Sequence, residues 1–167
     1  MENVIVKSSG ELSWGDKTYK VAIGKNGIIQ AKREGDNATP VGCFPIRKIY
    51  YRTDRIAKPN TDFETVALER NDGWSDDVND PAYNTHVKLP YTGSHEELWR
   101  DDHLYDIIVV LGYNDDPPVP GNGSAIFMHV ARENYSPTAG CIALAISDLL
   151  DILRSIDSKA QICVVAD

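Results

Sequence analysis

His129 and Cys141 stand twelve residues apart in a setting that suits thiol chemistry. A free thiol, with a pKa near ~8.5, is only a few per cent ionised at neutral pH, so a nucleophilic cysteine needs a base or a positive potential beside it. His129 is the base within reach. Ala125 to Val130 is an apolar run rich in strand formers, the pattern of a strand buried on both faces, and His129 falls near its end. The polar loop Arg132 to Thr138, in which Pro137 bars a regular helix, closes on Ala139-Gly140-Cys141 just before the apolar Ile142-Ala143-Leu144. Two adjacent strands would carry both side chains to one mouth. Gly140, lacking a Cβ, would let successive amides near Cys141 turn inward as an oxyanion hole. A buried structural thiol and a hydrogen-bonded strand-end histidine form the competing reading, since both are common.

These residues need a frame. Val4 to Val6 reads as a strand, Leu12 to Trp14 and Thr18 to Ile23 as a hairpin through Gly15-Asp16, Asn26-Gly27 as a tight turn, and Ile28 to Ala31 as a short strand. Cys43 to Tyr51 follows the polar loop Gly35 to Gly42, whose Thr39-Pro40 and Gly42 fix a corner. From Arg52 to Asp80 only Thr65 to Leu68 resembles a strand, and Asp76, Asp77 and Asp80 read as a solvated acidic loop. Ser94 as N-cap, with Glu96 and Glu97 in the first turn, predicts a short helix to about Arg100. Asp106 to Leu111 is the most apolar strand and is expected at the centre of the sheet. Leu149, Leu150, Ile152, Leu153 and Ile156 lie at helical spacing, predicting a helix from Ser147, its N-cap, to Ile156, and Gln161 to Val165 closes as a strand. The fold class is mainly β with one C-terminal α-helix, a single domain over 1–167 without repeat or linker.

With 167 residues, 42% apolar and 25% charged, the chain is large enough to bury a sizeable core without staples. A net charge of −8 with no basic run argues against a nucleic-acid partner. No window reaches the roughly 18 apolar residues of a membrane span, and MENVIVKSSGELSWG lacks a signal peptide's basic start and apolar core. Cys43, Cys141 and Cys163 are too few and too odd in number for a disulfide framework. A Cys43–Cys163 bridge would leave Cys141 free, but two buried thiols in strands are the preferred reading of that pair. Four scattered histidines without CxxC or HExxH spacing predict no metal, and nothing calls for a cofactor. Arg100, His103, Tyr105 and Asn114 flank the inner strands. Arg100 and His103, with Tyr113 and Thr138, are the candidate substrate contacts, the arginine for carboxylates.

His129 followed by Thr138-Ala139-Gly140-Cys141 resembles the signature of the L,D-transpeptidase (YkuD) catalytic domain, a His, a loop and a Ser/Thr-x-Gly-Cys motif. Gly35 to Ile46, reading GDNATPVGCFPI, is similar to the family's G-x-x-x-TP-x-G-x-F block. The string LWRDDHLYDIIVVLGYNDDPPVPGNGSAIFMHVA resembles a subgroup from alpha- and betaproteobacteria associated with crosslinks joining meso-diaminopimelate to L-alanine. The resemblance implies an antiparallel β-sandwich of the L,D-transpeptidase type with its helix at the C-terminus. It also implies a Cys141 thiolate, made by His129, attacking the meso-diaminopimelate carbonyl of a peptidoglycan stem peptide, with the amides of Gly140 and Cys141 holding the oxyanion. The thioester then passes to the amine of a second stem or of a free D-amino acid. Thr39, Pro40 and Gly42 would support the sheet beneath the site. No cofactor, a monomer, carbapenem sensitivity and a place in the periplasm or cell envelope complete the expectation. Water as acceptor would make the chain an L,D-carboxypeptidase or amidase. A peptidoglycan-binding module without turnover would be expected to lose His129 or Cys141, and the absent leader motivates a third reading, a cytosolic thiol enzyme.

The chain departs from the family pattern in three respects. Most members carry a His between the Ser/Thr and the Gly, and often an Arg two residues after the Cys, where this chain has Ala139 and Ala143. The absent Arg removes a cation that would orient a substrate carboxylate or lower the thiol pKa, so another residue must do this or specificity differs. The loop from His129 to Cys141 is also short for the family, which leaves the cleft more open on that side.

Overall fold

A computed structural model describes residues 3–166; residues 1, 2 and 167, the ends of the expected domain, lie outside the described part. The strands are β1 (Val4–Lys7), β2 (Glu11–Trp14), β3 (Lys17–Lys20), β4 (Ile28–Ile29), β5 (Thr39–Pro40), β6 (Gly42–Tyr51) and β7 (Thr65–Ala67). After them come β8 (Asp72–Ser75), β9 (His86–Lys88), β10 (His95–Glu97), β11 (Ile107–Leu111), β12 (Phe127–Val130) and β13 (Ile142–Leu144), then helix α1 (Ile146–Ser155) and β14 (Gln161–Val165). The chain is mainly β with one helix near its C-terminal end, as its alternation and single helical period require.

Among the described residues, nine strands form one sheet in the order β13-β12-β11-β6-β14-β1-β2-β3, with β7 on the side of β6. Most pairings are antiparallel, while β1 with β14, β6 with β7, and β12 with β13 run parallel. The ten-residue β6 holds the halves together, pairing with β14 through Gly42 to Pro45 and with β11 through Ile46 to Tyr51. The sheet then turns over on itself: just beyond β3, Ala22 and Ala143 of β13 exchange backbone hydrogen bonds of 2.7 and 2.9 Å.

Central β11 is buried along its whole length. Its side chains alternate between two cores, as a strand's period of two demands. Ile107, Val109 and Leu111 join the main core with Met128, Ile142, Leu144 and the helix residues Leu149, Ile152 and Leu153. Ile108 and Val110 face a second core of Tyr50, Trp74, Leu98, Tyr105 and Phe127. Fully burying each aliphatic helix side chain contributes roughly 1.5–3 kcal/mol, which fixes α1 on the sheet.

Several expectations need correction. Cys43 and Cys163 form a disulfide, because β6 and β14 pair in the register that sets these two residues opposite one another. The stretch expected as a helix from Ser94 to Arg100 instead contains β10, whose His95, Glu96 and Glu97 pair with Ser75, Trp74 and Gly73; tertiary strand pairing overrides the capping signal. β8, β9 and β10 make a separate three-stranded sheet over the second core. The N-cap is Ala145, two residues before the expected Ser147 and without a side-chain cap, so Ser147 lies inside the first turn. Strand β12 begins at Phe127 rather than Ala125, whose φ of 54° interrupts the extended backbone.

Candidate active site

The parallel register of β12 and β13 sets His129 beside Ala143 and Met128 beside Ile142. Side chains alternate, so Ile142 and Leu144 enter the main core while Cys141, just before β13, shares the other face with Phe127 and His129. Two residues along a strand span ~6.6 Å. Cys141 and His129 therefore meet at one cleft of about 200 Å³, whose lining also includes Lys32, Glu34, Asp76, Glu96, Tyr105 and Thr138.

His129 is 7% exposed. Its Nδ1 lies 2.9 Å from the Val130 carbonyl oxygen, which can only accept, so the proton sits on Nδ1 and Nε2 is left as the basic nitrogen. The Tyr105 ring packs edge-on against the imidazole at 5.2 Å between centroids. Burial pushes the His129 pKa down to about 4, against an upward pull from the Val130 bond. The Cys141 thiol donates to the Ala125 carbonyl at 3.2 Å and accepts weakly from the Phe127 amide at 3.5 Å. Burial, then the Glu96 carboxylate, push its pKa up to about 12, while the Phe127 amide and the Lys32 ammonium pull the other way. The resting pair is neutral on both sides.

The two sequence motifs meet here. The Thr39 hydroxyl, buried in β5, accepts from the Gly24 amide at 2.9 Å and donates to the Gly140 carbonyl at 2.8 Å. Gly140 has φ +142°, and a Cβ there would stand 2.9 Å from the Ala38 carbonyl oxygen, so the TP corner and the cysteine turn approach too closely for any side chain. The corner thus braces the cysteine turn itself, a tighter role than support of the sheet beneath. Thr138 bonds inward, donating to the Cys141 carbonyl at 2.6 Å and accepting from the Gly140 amide at 3.1 Å. The Gly140 amide expected in an oxyanion hole is engaged by that hydroxyl.

Ala125, left-handed beside the thiol, is held by Asn84, whose Oδ1 accepts from the Ala125 amide and the Trp74 indole at 3.0 Å each. Asn84 Nδ2 donates to the carbonyls of Tyr113 and Asn114. One buried amide therefore ties the three-stranded sheet to the loop that receives the thiol.

Cys141, His129, Gly140 and Thr138 share the cleft, whereas Arg100, His103 and Tyr113 do not line it. Arg100 forks onto Asp102 at 2.7 and 2.9 Å and lies over the Tyr105 ring, 5.4 Å from its centroid. His103 is exposed and bonds Asp106. The Tyr113 hydroxyl donates to the Asn122 carbonyl. Lys32, Glu34 and Glu96 escaped sequence reading because isolated charges in short polar stretches look solvated. Asp76, assigned to a solvated loop, has a fully buried Oδ1. Tyr105 was legible as an aromatic flanking the central strand, but its contact with His129 was not.

A cysteine and a histidine on one face of a parallel strand pair, at the floor of a cleft with charged walls, define a β-rich domain equipped for thiol chemistry. The profile of the L,D-transpeptidase catalytic domain, YkuD, matches residues 5–164, and the chain belongs to this family. The family acts on peptidoglycan as L,D-transpeptidases. No curated protein matches the sequence. Among the described residues, no helix is long and apolar enough to cross a membrane.

Proposed function

We propose that this chain is a cysteine-dependent L,D-transpeptidase that forms a thioester with the meso-diaminopimelate residue of a peptidoglycan stem and passes it to an amine. The observation that carries the reading is the shared face of Cys141 and His129, with Nε2 as the basic nitrogen in the cleft. Because the resting pair is neutral, the thiol proton moves to Nε2 as sulfur attacks the carbonyl carbon. The oxyanion that forms is held by the Cys141 amide and by the Gly140 amide once it exchanges Thr138 Oγ1 for substrate. His129 then gives the proton to the leaving amine, the C–N bond breaks and the thioester remains. In the second half-reaction His129 takes a proton from the acceptor amine, which attacks the thioester and releases the thiol.

The Cys43–Cys163 disulfide supports an oxidising compartment, and hence work in the periplasm or cell envelope. The test incubates the purified chain with disaccharide-tripeptides and disaccharide-tetrapeptides from a meso-diaminopimelate wall, with and without a D-amino acid, and reads products and intact protein by mass spectrometry. Crosslinked dimers or D-amino-acid exchange, absent from Cys141→Ala, are the expected result. Shortened stems alone would make the chain a carboxypeptidase, and no Cys141-dependent product would overturn the proposal.

A further inference from the structure

The lining of the cleft holds both signs of charge, Lys32 with Glu34, Asp76 and Glu96. On the side of Gly140 lies Lys32, 5% exposed, its Nζ bonded to Asp36 Oδ1 and the Arg33 carbonyl and 3.5 Å from the position a Gly140 Cβ would take. Asp36 also accepts from the amides of Arg33 and Ala38, so the lysine is anchored by the loop that carries the TP corner. Burial raises the Asp36 carboxyl, but Lys32 and these two amides outweigh it and leave its pKa below the usual range. Ala143 cannot house the arginine of other family members: it is 2% exposed and bonded through its backbone to Ala22.

On the side of His129 stands Glu96, which receives the hydroxyl of the same Tyr105 that packs on the imidazole. Asp76 lies in the same lining, and its Oδ1 is fully buried with no hydrogen-bond partner among the described residues. Glu34, also in the lining, accepts from the hydroxyls of Tyr83 and Ser124. Burial, with Asp76 and Glu34 adding to it, raises the Glu96 carboxyl against the pull of Tyr105 and Arg100, and the Arg100 guanidinium is already committed to Asp102. A buried acceptor beside a crowded carboxyl favours a positively charged, hydrogen-bond-donating group.

We propose that this cleft holds a zwitterionic amino-acid centre of the donor, its carboxylate on Lys32 and its ammonium on the Glu96 and Asp76 side. The inference rests on the reaction proposed above and deepens it. A volume of about 200 Å³ falls below the ~300–1,000 Å³ of sites that take whole drug-sized ligands, so the cleft takes one side chain and not a stem. The far end of a diaminopimelate residue carries an ammonium and a carboxylate on one carbon. Lysine offers only the ammonium there, and 2-aminopimelate only the carboxylate.

The experiment uses three synthetic stems that differ only in this residue and reads the specificity constant for acylation of Cys141 in the full chain. The wild type prefers the diaminopimelate stem at least about tenfold over both others, the loss expected for one unmet charged hydrogen bond. Measured against the lysine stem, which shares any change in the thiol itself, Lys32→Met loses about tenfold or more on the diaminopimelate and aminopimelate stems, and Lys32→Arg restores most of it. Measured against the aminopimelate stem, Glu96→Gln loses similarly on the diaminopimelate and lysine stems. Equal use of the three stems by the wild type, or equal losses on all three in variants whose melting temperatures are unchanged, overturns the inference alone. Calorimetric titration of free meso-diaminopimelate into Cys141→Ala separates the two proposals. Binding weakened by either charge change supports the pocket even if no stem acylates the wild type, and no binding overturns it.

Discussion

Replacing Thr39 by valine tests whether the TP corner braces the cysteine turn. Thr39 is 1% exposed, and valine keeps its shape while removing the hydroxyl that serves the Gly24 amide at 2.9 Å and the Gly140 carbonyl at 2.8 Å. Both backbone groups are then left buried and unpaired, at ~1–3 kcal/mol each, so the variant should lose about 3 kcal/mol. For a domain of this size each kcal/mol moves the melting temperature by ~2–4 °C, which gives a fall of roughly 6–12 °C. Thr39→Ser keeps the hydroxyl and should stay within ~1 kcal/mol of wild type. Differential scanning calorimetry reads the stability, and the rate at which iodoacetamide alkylates Cys141 reads the turn, since a freed Gly140 carbonyl lets the thiol leave the Ala125 carbonyl. A valine variant that melts within about 2 °C of wild type and alkylates at the same rate would refute the bracing argument.

Further outcomes follow from the same geometry. A His129 pKa held at about 4, against 6.5 when unfolded, means that the unfolded chain binds more protons between those values; stability is present above pH 6.5 and falls on the order of 3 kcal/mol as pH drops to 4. Urea unfolding at stepped pH should show this slope, and His129→Asn should flatten it. Removing the disulfide with Cys43→Ala and Cys163→Ala together should cost ~2–5 kcal/mol, given the 120-residue separation it closes, read by the shift in denaturant midpoint. Carbapenems should add their mass to the wild-type chain and not to Cys141→Ala, and an unmodified wild type would count against a thioester-forming Cys141.

What the sequence made legible follows from where the information lies. The run from Ile107 to Leu111 reads as a central strand because both its faces are buried, so every residue is apolar. His129 and Cys141 are visible through local pattern, each beside an apolar run that ends at the cleft. Cys43 and Cys163 are not, because their pairing depends on the register between strands 120 residues apart. His95 to Glu97 forms a three-residue strand, too short to show alternation, and its acidic pair imitates a helix start. Lys32, Asp76 and Glu96 come from three separate stretches, and only the folded chain gathers them at the cleft.

Asn84 bears on how such a protein can be rebuilt. With its four side-chain hydrogen bonds divided among Trp74, Ala125, Tyr113 and Asn114, it acts as a keyed joint between the three-stranded sheet and the loops that flank β11 and β12. The segment from β8 to β10, transplanted as a cassette, would carry its own sheet but not the backbone partners of this joint. Modularity in this architecture therefore has a grain: an exchange that misses one buried amide unseats the peptide unit against which the thiol rests.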